Sequence, residues 1–486
     1  MSDIAANVVL ASAMQQLDLL RSRQISVTQL AEAHIQQIEQ INPVLNAFAD
    51  FNADRVRTEA QLMDSWQGAR GPLYGLPVTV KSSIATAGYH CEIGSLLHKG
   101  DVPRKDAVVV ARLRAAGALI LGTTNCPEFL MAYETANLLH GQTRNPWDVE
   151  RTPGGSSGGE SAAIAAGLSA AGLGSDSGGS VRIPAHFTGI CSLKPTPGRI
   201  PGDGHLPPCV GPFSILGAIG PMARTMADVA LLFRNLSGQN PDDPASPPVP
   251  LREPSLDDLR ERPIGYFEDD GLVPVSVETR AAVQAAAGAL RQAGFRVEPF
   301  RPDTLEQLRS IWWKFFVQCG AMFYEPTIRG KQSQLSPVFK EFLCIAESAP
   351  PLTAAELLNV WAELDLLRAR TLAAMRAYPV LLCPVASIPA FRHGERAWNI
   401  EGRVVEYLDA VRYTQWFNAL ACPAAVVPVG QSSEGLPIGV QIVARPFEDE
   451  TALTIAAVVD AAFGYRPPPA VITPALAGTD SGFCLS

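Results

Sequence analysis

The sequence predicts an α/β fold: one large domain spanning 1–486, with a mixed β-sheet at its core covered by helices on both faces. Two observations carry this. Short β-branched or apolar runs alternate with helical patterns along most of the chain, and the 486 residues are enough to bury a sizeable core. The composition, 47% hydrophobic and 18% charged, is that of an ordinary globule.

The elements follow in order. Ser26-Val-Thr-Gln29 has the form of a capping box, and Leu30, Ala33, Ile38 and Ile41 then recur at helical spacing until Asn42-Pro43, where the helix is expected to stop. Residues 1–66 read as N-terminal helices. A strand over Val78–Val80 ends on Lys81, a helix covers Val108–Ala116, a buried strand Ala118–Leu121, and a small-residue helix Glu160–Ala166. The stretch Pro241–Pro254, rich in Pro, Asp and Ser, reads as a surface loop. Alternation then resumes with a strand over Pro263–Phe267 and a helix over Glu278–Ala293. Residues 300–376 are mainly helical and carry Trp312, Trp313, Phe315 and Phe316, an aromatic cluster that suits a hydrophobic core and a pocket wall equally well. "YPVLLCPVA" and "GLPIGVQIVA" return to strand patterns.

Charge and cysteine usage narrow the function classes. The net charge of -9 and the lack of a Lys/Arg run argue against nucleic acid and anionic membranes as partners. The N-terminal stretch lacks the basic and apolar regions of a signal peptide, and there is no apolar run of spanning length. Nine cysteines without a C-x-x-C pair suggest neither a disulfide framework nor a structural metal. A reduced, cytoplasmic protein that needs no metal or other cofactor is the expectation, as a monomer or a homodimer.

The chemistry-bearing residues lie in two glycine-serine stretches, "TPGGSSGGESAAIAAG" (152–167) and "GLGSDSGGSVRIP" (172–184). A phosphate-binding loop is disfavoured, because neither G-x-x-x-x-G-K-[ST] nor G-x-G-x-x-G occurs. D-S-G-G would single out Ser177 in a trypsin-like protease, but that needs a β-barrel and an upstream His and Asp. The G-x-S-x-G elbow of α/β-hydrolases is absent as well. What remains is a serine activated by something other than histidine, and a desolvated lysine at a strand end, Lys81, is the candidate base.

Taken together, "GLPVTVK", "TNCPEF", "GQTRNPWDVERTPGGSSGGESAAIAAGL" and "LGSDSGGSVRIPAHFTGICSLKPTPGRIP" resemble the amidase signature family. The resemblance runs nearly continuously from about 73 to 228, within a catalytic core assigned to 67–235. It implies amide hydrolysis through an acyl-enzyme by a Ser-cisSer-Lys triad, with Ser180 as nucleophile, Ser156 as the bridging serine after a cis peptide, and Lys81 as general base. It also implies an oxyanion hole built from the backbone N–H groups of Ser177, Gly178, Gly179 and Ser180, oriented by Asp176 and Arg182. Ser82 and Thr123 depart from the family pattern, which commonly has Asp and Lys there.

For the substrate, Val411 stands where a glutaminase subunit of an amidotransferase carries an acid, and Tyr413, Trp416 and Phe417 crowd the same segment. The expectation is an aromatic-lined pocket, with Leu130, Met131 and Trp416 against the substrate, that takes hydrophobic or aryl amides. A carbamate (urethane) hydrolase on the same triad, and the glutaminase subunit itself, are the alternatives.

Overall fold

A computed structural model describes residues 8–469. Its core is an 11-stranded mixed sheet. In chain order the strands are β1 (Phe48–Phe51), β2 (Pro77–Lys81), β3 (Leu119–Thr124), β4 (Ala171–Asp176), β5 (Cys191–Lys194), β6 (Ala218–Ala223), β7 (Ile264–Tyr266), β8 (Val297–Pro299), β9 (Val380–Pro384), β10 (Ala424–Gln431) and β11 (Pro437–Ala444). They lie side by side as β1-β3-β2-β4-β6-β5-β10-β11-β9-β7-β8. Strands β3, β2 and β4 are mutually parallel, with Val78 opposite both Ile120 and Ala171. Their carboxyl ends, at Thr124, Lys81 and Asp176, therefore share one edge of the sheet, the edge where α/β folds place their sites.

Most central strands are buried along their whole length, as befits a sheet covered on both faces. Helix Gly158–Ala165 packs on β2, β3 and β4 and is itself fully buried. Its first turn carries Glu160, whose carboxylate accepts hydrogen bonds from Thr79 on β2 and from Thr124 on β3, the latter at 2.8 Å. Burial raises this carboxyl to about 8, so at neutral pH it is mostly protonated and adds little charge to the interior. Helices Leu305–Trp313, Cys319–Ile328, Pro337–Glu347 and Ala354–Ala374 share a second apolar cluster with Phe129, Phe213 and Trp416. Among the described residues no helix is long and apolar enough to cross a membrane.

The first of the sequence-read helices runs past the expected stop, Val27–Leu45 with Pro43 inside it. It ends soon after the proline. Asn46, in the left-handed region at φ 54°, terminates the helix, while the Asn42 side chain accepts from Ala47 N–H at 2.7 Å and so caps the exit.

Close packing of the central helix gives a stability test. A Cβ on Gly159 would stand 2.5 Å from the carbonyls of Ala47 and Asn125, whereas one on Gly288, in helix Val277–Gln292, would meet nothing within 4 Å. Gly159→Ala is expected to destabilise the fold by about 1–3 kcal/mol. Gly288→Ala is expected to be neutral or stabilising by up to about 1 kcal/mol. Urea unfolding of the two variants checks the contrast.

Candidate active site

Lys81 closes β2 and is fully buried. Its Nζ lies 2.6 Å from Ser156 Oγ, 3.1 Å from Ser157 Oγ and 3.1 Å from Ser175 Oγ. Burial lowers the amine to about 8, against the pull of nearby acidic groups that include Asp176. Ser156 stands just before helix Gly158–Ala165, after a cis peptide bond from Gly155. Room there is limited. A Cβ on Gly155 would fall 2.6–2.8 Å from the backbone of Ala132 and Glu134.

Ser180 belongs to the loop that leaves β4 and enters helix Arg182–Thr188. Its carbonyl accepts the Ser157 N–H at 3.1 Å, which ties the two serine-bearing loops together. Ser156, Ser175, Ser177 and Ser180 all line one cavity of about 450 Å³.

The loop around Ser180 is held from below by one buried ion pair. Asp176 receives Nε and Nη2 of Arg182 at 3.0 and 2.9 Å, both groups being fully buried. The same carboxylate accepts from Asn418 Nδ2 at 2.9 Å, Gly179 N–H at 2.8 Å and Val181 N–H at 3.2 Å. With so many donors, Asp176 stays ionised far below the usual carboxylate range despite its burial. Arg182 also reaches Thr414 O and Gln441 Oε1.

Three further contacts fix the loop's carbonyls. Trp312 Nε1 donates to Ser177 O at 2.9 Å, while Tyr133 OH and Thr414 Oγ1 donate to Gly178 O at 2.9 and 2.6 Å. With the carbonyls held in this way, the N–H groups of Ser177, Gly178 and Ser180 donate to no protein acceptor among the described residues. Of the four amides expected to face an oxyanion, Gly179 N–H already donates to Asp176, which leaves the other three without a protein acceptor among the described residues. Gly179 is required for its conformation, φ 127°, and Gly178 because a Cβ there would meet Trp312 at 2.7 Å.

Leu130 and Met131 line this cavity and a second one of about 530 Å³, which Ser180 and Phe316 also border. They are delivered by two consecutive non-glycine residues in the left-handed region, Phe129 (φ 52°) and Leu130 (φ 67°). Such conformations persist only where the surroundings over-determine them. Here Tyr324 OH donates to Phe129 O, and Phe129 N–H donates to Ile93 O. Trp312 and Phe316 stack at 4.9 Å across a π-helical turn, Lys314–Gln318, and both face the second cavity.

Trp416 does not reach substrate space, and that expectation is corrected. It is fully buried against Phe267, Tyr413 and Phe417, and Val411, Tyr413 and Phe417 are equally buried. Helix Arg412–Ala419 turns its aromatic face into the core and sends Thr414, Gln415 and Asn418 toward the loop. These polar contacts escaped the sequence reading, as did the Lys81 contacts of Ser157 and Ser175. Of the two family departures, Ser82 Oγ sits 3.3 Å from Cys126 Sγ and Thr123 Oγ1 donates to His90 O. His186 is a core residue, its Nδ1 accepting Gly439 N–H at 2.8 Å.

A family model for amidases matches residues 29–453. The chain is 33% identical to a glutamyl-tRNA(Gln) amidotransferase subunit from Roseiflexus sp. (strain RS-1), over 90% of this chain and 93% of that one. It is 32% identical to an indoleacetamide hydrolase from Bradyrhizobium diazoefficiens, over 92% and 86%. The solved structure of 6-aminohexanoate cyclic dimer hydrolase complexed with substrate superposes with a TM-score of 0.82 at 30% identity, covering 95% of this chain and 99% of that one. A buried lysine among serines at the carboxyl edge of such a sheet, with these matches along nearly the whole length, means that the chain belongs to the amidase signature family and is a hydrolase acting on amide C–N bonds.

Proposed function

We propose that Ser180, Ser156 and Lys81 hydrolyse hydrophobic or aryl amides through an acyl-enzyme. The observation that carries this reading is the 2.6 Å contact between Ser156 and a lysine that burial lowers to about 8. A neutral amine is then available near physiological pH, and general-base work is most effective with a pKa close to the working pH.

In the first half-reaction, Ser180 Oγ attacks the amide carbon while its proton moves through Ser156 to Lys81 Nζ. The carbonyl oxygen gains negative charge and is met by the free N–H groups of the Ser177–Ser180 loop, pre-aimed so that little reorganisation is needed. Collapse breaks the C–N bond, and the proton returns from Lys81 through Ser156 to the departing nitrogen. Water then repeats the sequence on the acyl ester, releasing the acid and regenerating Ser180.

Substrate polarity follows from the walls. The 450 Å³ cavity has no charged lining residue among those described, since burial lowers its one imidazole, His205, to about 4. The 530 Å³ cavity has one carboxylate, Glu341, which is paired with Arg396 Nε at 2.5 Å. Nothing there balances both charges of free glutamine, and burying them unpaired is costly. An aryl group instead gains roughly 25 cal/mol per Å² of apolar surface buried. The relative named for indoleacetamide hydrolysis is in keeping with an aryl group on the acyl side of the bond.

Two experiments test the machinery. Ser180→Ala is expected to lower kcat for an anilide by about 10⁴-fold or more, with the fold kept by circular dichroism, while Ser177→Ala retains most activity because Ser177 is assigned only a backbone role. The reverse pattern would transfer the nucleophile to Ser177.

The pH dependence has a definite sign. Protonated Lys81 cannot accept the proton, so kcat/KM should rise about tenfold per pH unit well below pH 8 and level off above it. A profile flat from pH 5 to pH 9, with chemistry rate-limiting, would exclude a lysine base.

A further inference from the structure

The two cavities meet at Ser180 and share Leu130, Met131 and Phe316, but their other walls differ. One lobe is bounded by Gly178, Trp312, Val338, Phe342 and Ile345. Ser156 and Ser175 border only the other, with Phe213, Phe323, Tyr324 and Cys209. The chemistry assigns a side to each half of the substrate. The nitrogen that leaves must receive its proton from Ser156, so it and whatever it carries must lie in the Ser156 lobe, and the acyl substituent is left to the Trp312 lobe.

The Ser156 lobe has more room than ammonia requires. It has four aromatic walls, Phe129, Phe213, Phe323 and Tyr324, besides Phe316 at the junction. His205, Pro208 and Cys209 also border a surface cleft of about 1370 Å³, so only this thin wall separates the lobe from an outer opening. An empty apolar lobe stabilises nothing in the transition state of a primary amide. A large apolar amine would fill it and hold the scissile nitrogen beside Ser156.

Resting on the triad proposed above, we infer that the enzyme is built for N-substituted amides with apolar groups on both sides of the bond, the amine substituent in the Phe213–Phe323 lobe and the acyl substituent in the Trp312–Phe342 lobe. Ile345 and Cys209 are then specificity-determining positions for the acyl and amine halves respectively. Both are partly exposed at the lobe walls, so bulk can be added there with little disturbance to the core.

The test uses four amides: phenylacetanilide, phenylacetamide, acetanilide and the 1-naphthylamide of phenylacetic acid. For the wild-type chain, kcat/KM for phenylacetanilide should exceed that for both phenylacetamide and acetanilide by at least tenfold. Ile345→Trp should reduce the phenylacetanilide-to-acetanilide ratio about tenfold, and Cys209→Phe the phenylacetanilide-to-phenylacetamide ratio by a similar factor. If Cys209→Phe fails to fold, Phe323→Ala, which removes a part-exposed wall of the same lobe, should raise the naphthylamide-to-anilide ratio severalfold. Phenylacetamide matching the anilide, or the two variants acting on each other's ratios, would overturn the inference and leave the amidase reading intact. A folded wild-type chain that cleaves none of the four would overturn both.

Discussion

Burying an amine without a carboxylate in hydrogen-bonding reach is the constraint on which the rest of the site depends. Lys81 has no exposed surface, and the three side chains within reach of its Nζ are all hydroxyls. Hydroxyls can accept from an ammonium or donate to a neutral amine, so they solvate both states and commit to neither. A carboxylate in the same place would hold the proton on nitrogen. Glu160, the acid on the helix that covers β2, is itself turned to Thr79 and Thr124 and raised to about 8 by burial. No carboxylate is thereby left to hold a proton on the amine, as the proposed general-base role requires.

The Ser177–Ser180 loop, proposed above to meet the carbonyl oxygen, obeys the opposite rule. Asp176, held far below the usual carboxylate range, and Arg182 are fully buried and saturated with hydrogen bonds. A pair of this kind contributes little net stability, because desolvation offsets its attraction, but it holds a fixed arrangement. What it fixes is the Ser177–Ser180 loop, together with Trp312, Tyr133 and Thr414 on the loop's carbonyls. Trp312 thus serves twice, as a donor to the loop and as a wall of the 530 Å³ cavity.

How much of this was legible in the sequence depended on whether local pattern or tertiary contact decides a residue's place. Strand β2 and the helices at Val108, Gly158 and Val277 were readable from periodicity and glycine punctuation. Strand β4, "AGLGSD", was not, although it carries the active loop. A Cβ on Gly172 would stand 1.7 Å from Glu160 Oε1, and one on Gly174 2.6 Å from Ser157 Oγ. Glycine is required at these two positions of one face because Glu160 and Ser157 lie against it, and the missing side chains blur the alternation that marks a strand. The motifs singled out Lys81, Ser156 and Ser180, and the fold brings Lys81 Nζ to 2.6 Å from Ser156 Oγ. Trp416 was misplaced because a helix's aromatic residues mark its buried face without saying whether a cavity or the core lies beyond. The bond from Gly179 N–H to Asp176 could not be read, because only the fold brings that carboxylate back onto the loop.

The central claim is that Ser180, reached through Ser156 by a neutral Lys81, carries the acyl group. The most direct measurement is rapid acid quenching of the enzyme during turnover of an anilide, followed by proteolysis and mass mapping of the peptide that contains Ser175, Ser177 and Ser180. The account predicts a single acyl adduct, located on Ser180 by fragmentation. It also predicts that this adduct is absent from Lys81→Ala. An adduct on Ser177, or one that forms at the wild-type rate in Lys81→Ala, would contradict it.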